Sequence, residues 1–144
     1  MHILEELRKE NLKISNLCEV LAVLIEHKEL RNNPFVCELV SRFREQVWTH
    51  LVFEGNPIYA ELARQPNNEF SEIASHFLQS SQNIKKRFAN YVKSWCAPAD
   101  DETHDRFVSE SRDILRLIMD RVQYENDKVF PLIAQHQQRF VENS

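Results

Sequence analysis

A single glycine, Gly55, occurs in 144 residues, and no other feature narrows the choice of fold so far. The chain is otherwise rich in Leu, Glu, Lys, Arg, Gln and Ala, the residues that lose least on entering a helix. An all-α protein is expected. The apolar share is 42% and the charged share 28%, which describes a globular chain long enough to bury a sizeable core as one domain over residues 1–144. A net charge of −4 supplies no basic surface for sequence-independent nucleic-acid binding. The start of the chain, Met1-His-Ile-Leu-Glu-Glu, lacks the basic-then-apolar layout of a signal peptide, and no apolar run approaches a membrane span. These readings imply a cytoplasmic protein with neither nucleic acid nor membrane as partner. Cys18, Cys37 and Cys96 are odd in number and widely spaced, so they read as reduced thiols.

Apolar residues at Leu4, Leu7, Ile14, Leu17, Leu21 and Leu24 predict an amphipathic helix from residue 2 to about 29. Asn33 and Pro34 suit the cap and first position of a second helix, which reaches about Arg64 with a kink or break at Gly55-Asn56-Pro57. After a turn at Gln65–Asn68, Phe70, Ile73, Phe77, Ile84, Phe88, Tyr91 and Trp95 mark a third helix. Asp100 or Asp101 caps a fourth, whose inward positions are Phe107, Ile114, Ile118, Val122, Val129 and Leu132. Pro131 kinks it or ends its main part, and the tail beyond Gln135 is polar. Short connections between four helices imply an antiparallel up-and-down four-helix bundle.

That architecture gives each side chain a depth. At 1.5 Å per residue Asn11, His50, His76 and Arg121 lie at similar heights, with Glu54 and Glu125 one turn further. His50 and Glu54 share one helix face, and so do Arg121 and Glu125. Both pairs fall on faces that are otherwise apolar, where a carboxylate is costly unless a cation or hydrogen-bond donors meet it. Six polar side chains are therefore expected to meet in one layer. The spacing also repeats: His50-x-x-x-Glu54-x-x-x-Ile58-Tyr59 matches Arg121-x-x-x-Glu125-x-x-x-Val129-Phe130-Pro131.

On these motifs the chain, from about residue 3 to 133, resembles the hemerythrin-like HHE cation-binding family. The resemblance implies a four-helix bundle around a non-haem di-iron centre, with functions in dioxygen binding or in iron or redox sensing. It assigns His50, Glu54, His76 and Glu125 as metal ligands, with iron as the cofactor. Two positions depart from it, since Asn11 and Arg121 stand where the family places histidines. A guanidinium has no lone pair to give a metal, but it can neutralise Glu54 and Glu125. Two readings follow: a degenerate iron site, or a metal-free polar core in which Arg121 replaces the metal and Asn11 satisfies His50. In the second, the chain is a regulatory module for a protein partner. The Arg-x-x-x-Glu of the last helix is also similar to that of helical anti-sigma regulators. No nucleophile triad, phosphate loop or acid-base pair in an open cleft points to an enzyme. Trp48 and Trp95 read as core or interface aromatics.

Overall fold

The computed structural model describes residues 3–52, 57–95 and 101–136, apart from the side chains of Ile3, Val52, Pro57, Val92, Ser94, Trp95 and Asp101. Every long element among them is helical. Helix α1 spans Ile3–Leu24, α2 Pro34–Val47, α3 Pro57–Arg64, α4 Asn68–Trp95, α5 Asp101–Tyr124 and α6 Phe130–Gln135. Two wide, π-helical turns are inserted, Trp48–Val52 after α2 and Glu125–Val129 between α5 and α6.

The helix starts follow the chain's own cap residues. Asn33 Oδ1 accepts the Phe35 and Val36 backbone N–H groups at 2.9 and 3.4 Å, with Pro34 as the first helical residue. Asn67 does the same for Glu69 and Phe70 at the head of α4, at 2.8 and 3.3 Å. In each case two orphan donors of the first turn are satisfied. Helix α1 stops at Leu24, short of the expected residue 29. Its end tightens instead, as Glu26 and His27 donate to the carbonyls three residues back, and a short 3₁₀ turn, Lys28–Leu30, follows.

The α-helical main part ends at Tyr124, before Pro131, and the helical run continues past the proline to Gln135. Lacking an N–H, and crowding the carbonyl four residues earlier, it is accommodated by the preceding wide turn, where the Phe130 N–H reaches the Glu125 carbonyl five residues back. The expected break at Gly55-Asn56-Pro57 lies outside the described residues except that α3 begins at Pro57.

Helix α1 packs on α2 and α5, and α4 packs on α2, α3 and α5. The apolar interior is divided in two. One compartment holds Ile14, Leu21, Phe43, Val47, Ile84, Phe88 and Ile118. The other holds Ile58, Leu62, Phe70, Phe77, Val129 and Ile133. Along α1, α4 and α5 the change from one to the other falls at a buried polar residue: Asn11, Ser81, and Arg121 together with Glu125 just past the end of α5. Arg31, between α1 and α2, is also buried, with its guanidinium 4.2 Å from the centre of the Phe107 ring.

The thiol reading needs correction. Cys18 is free and buried, its thiol pushed up to about 12 by burial and then by the nearby Glu19. Cys37, in the first turn of α2, is disulfide-bonded to a partner outside the described residues. No described helix is long and apolar enough to cross a membrane.

Candidate functional site

The layer between the two compartments is built on Glu125. Its carboxylate is 4% exposed, a position that requires hydrogen-bond donors or a cation. Both oxygens have them. Asn11 donates to Oε1 at 3.1 Å from α1. The Tyr59 hydroxyl, from α3, makes a short hydrogen bond to Oε2, and Arg121 brings Nε and Nη2 to the same oxygen at 3.3 Å each.

Arg121 is 1% exposed and is held from all sides. Its guanidinium lies 4.5 Å from the centre of the Phe77 ring and 5.2 Å from that of Tyr59, while those two rings stack on each other at 3.9 Å. A cation against ring faces in a dry setting gains attraction that water would screen. The remaining N–H groups turn to α4, where Nη1 donates to Ser81 at 3.3 Å and to Ser80 at 3.5 Å. The Ser81 hydroxyl in turn donates to the Leu51 carbonyl at 3.0 Å. That carbonyl belongs to the wide turn of the first repeated motif. A continuous chain of polar contacts thus joins the second motif, through Ser81, to the backbone of the first.

Burial and the facing Glu125 carboxylate raise the Tyr59 hydroxyl well above its ordinary value, with Arg121 opposing. The phenol therefore stays protonated and donating across the neutral range.

The residues expected in this layer are only partly brought together. Glu125, Arg121 and Asn11 are in it. His50 is not. It lies at the rim, a quarter exposed, with Nδ1 2.8 Å from Glu10 Oε2. The expectation that Asn11 satisfies His50 is thus corrected: the neighbouring Glu10 takes the imidazole, and Asn11 turns inward to Glu125 and, at 3.4 Å, to Asn126. His76 is exposed on α4 and stacks on Tyr124 with ring centres 3.8 Å apart. Partial burial lowers its affinity for a proton, and the positive charge of Arg121 adds to this. Glu54 lies outside the described residues. A void of about 10 Å³ bounded by Glu10, Asn11, His50 and Glu125 separates the rim pair from the buried one, at the lower limit for a single water.

Among the described residues no group of three or more His, Cys, Asp or Glu side chains could share a metal ion. Sequence reasoning missed Tyr59, Ser81 and Glu10 as members of the layer and its rim. The first two carried a signal, because Tyr59 closes the first repeated motif and Ser81 falls on the apolar stripe of α4 between Phe77 and Ile84. Compared with family models, with curated proteins and with solved structures, the chain matches none.

Proposed function

We propose that the chain is an antiparallel four-helix bundle of hemerythrin-like build whose centre works without a metal, and that it acts through its surface as a regulatory module for a protein partner. One observation carries this reading: the Arg121–Glu125 pair, 1% and 5% exposed in its side chains, with every Glu125 oxygen already taken by a donor from the chain itself. A dication placed there would have to displace Asn11, Tyr59 and Arg121, and it would meet a fixed positive charge within a few ångströms, a repulsion that low dielectric magnifies. The described residues fit iron poorly for a second reason. His50 is committed to Glu10 and His76 stacks on Tyr124, so neither imidazole is among the hydrogen-bond partners of Glu125. In this reading the guanidinium supplies the charge that holds the helices in register, and the centre carries no redox or oxygen chemistry.

The test is elemental analysis of protein purified without a metal-affinity tag, repeated after anaerobic loading with ferrous iron. Substoichiometric iron and no oxygen-dependent near-ultraviolet band are expected. Stoichiometric, chelator-resistant iron would overturn the reading in favour of a degenerate iron site. The combined substitutions Arg121→His and Asn11→His should raise iron uptake, because they remove the competing cation and add two imidazoles to the layer.

A further inference from the structure

On the opposite side of the wide turn from His50, Trp48 projects from the surface, 42% exposed. It forms one wall of a groove of about 490 Å³ between α2 and α4, with Phe88 and Ala89 as floor and facing wall. The floor is firm, since Phe88 is buried and packs edge-on against Phe43 at 5.7 Å. The volume falls within the range of small-molecule pockets, roughly 300–1,000 Å³. The lining runs from Ser41 to Thr49 along α2 and the wide turn, but on α4 only from Phe88 to Lys93, less than two helical turns. That length accepts one apolar body, not the row of anchors an amphipathic helix presents.

Charge defines the other end of the ligand. Arg44 and Lys93 line the groove, and Lys85 lies over the Trp48 ring at 5.4 Å. Among the described residues Glu45 is the one acidic residue in the lining. In a chain of net charge −4 this is a local excess of cations around an apolar surface. Among the described residues neither Arg44 nor Lys93 is engaged in an ion pair, so both are available to a ligand.

We infer that this groove binds a small amphiphilic carboxylate, its aromatic or medium-length aliphatic body against Trp48 and Phe88 and its anionic head between Arg44 and Lys93. Burial of the body supplies affinity, and the fork of the arginine reads the planar carboxylate by paired hydrogen bonds. The inference is independent of how the centre of the bundle is read, since none of these residues belongs to the buried layer.

Octanoate and 3-phenylpropionate are suitable probes, titrated into the intact chain and followed by two-dimensional NMR. At least one of them should shift the Trp48 indole N–H and the Ser41, Thr49 and Ala89 amides saturably, at submillimolar concentration. Octanol and octylamine should bind about tenfold more weakly or not at all, since they lack the head that Arg44 reads. Arg44→Gln should weaken octanoate or phenylpropionate by about tenfold, and Trp48→Ala by a similar factor. Both positions are exposed, and unchanged circular dichroism would confirm that the variants fold. If neither acid saturates, if octylamine binds as well as octanoate, or if Trp48→Ala binds the acid as tightly as the parent chain, the assignment is wrong.

Discussion

His50 and Arg121 head the two copies of one spacing. His50 stands at the rim, a quarter exposed and paired with Glu10, while Arg121 is sealed in the core against Glu125. The difference follows from where each half places its wide turn. In the second half the turn begins at Glu125, after Arg121, so Arg121 and Glu125 keep the α-helical four-residue relation that lets them meet. In the first half the wide turn runs from Trp48 to Val52 and contains His50 itself. An extra residue in a helical turn rotates what lies within and beyond it about the axis, and the imidazole leaves the inward face. Equal spacing in sequence therefore does not guarantee equal depth when the local helix type differs.

The comparison is broken most directly at Glu125. Glu125→Ala leaves a buried guanidinium without its counter-charge and should cost about 3–5 kcal/mol in urea denaturation. Replacing both partners, Arg121→Met with Glu125→Leu, should recover only part of that loss, because it avoids the desolvation of two charges but leaves the Asn11 amide and the Tyr59 hydroxyl without their acceptor. If Glu125→Ala costs under about 1 kcal/mol, the pair does not hold the layer together. Next comes Tyr59→Phe, which deletes one donor to a buried carboxylate and should cost about 1–3 kcal/mol by the same measurement. His50→Ala, at the rim, should cost at most about 1 kcal/mol. A value as large as that for Glu125→Ala would erase the distinction between the two halves.

The smallest effect concerns pH. The folded chain lowers the His76 proton affinity from its ordinary 6.5, chiefly by burial, so below that pH the unfolded chain binds the proton more readily. Stability should be unaffected above about 6.5 and should fall as the pH drops from there through the folded value. His76→Gln should flatten this dependence, and an NMR titration of the ring should give a midpoint under 6.5. A midpoint above it would mean that the neighbouring carboxylates outweigh burial and Arg121.

Much of the fold was legible because helix periodicity and cap residues act locally. Asn33-Pro34, the α4 stripe from Phe70 to Tyr91, and the inward set Phe107, Ile114, Ile118 and Val122 lie where their spacing put them. The height of the polar layer was legible too, since rise per residue is nearly constant, and Asn11 does meet Glu125 across 114 residues of sequence. Partner choice within the layer was not. Whether Asn11 or Glu10 reaches His50 depends on rotation about the helix axis, and the wide turns that set this rotation have no pattern of their own in the sequence. His76 shows the same limit, one residue before buried Phe77 yet exposed on Tyr124. The disulfide at Cys37 was hidden for a further reason, because spacing along a chain does not show which thiols meet in space.

A chain whose two halves repeat one spacing could come apart along the seam between them, one half melting while the other persists. The Ser81 hydroxyl works against that outcome, since it receives from Arg121 in the second half and gives to a backbone oxygen in the first. Opening the seam would take Asn11 and Tyr59 from the buried Glu125 carboxylate and Ser81 from the Leu51 carbonyl together, so the least costly way to lose either half is to lose both at once.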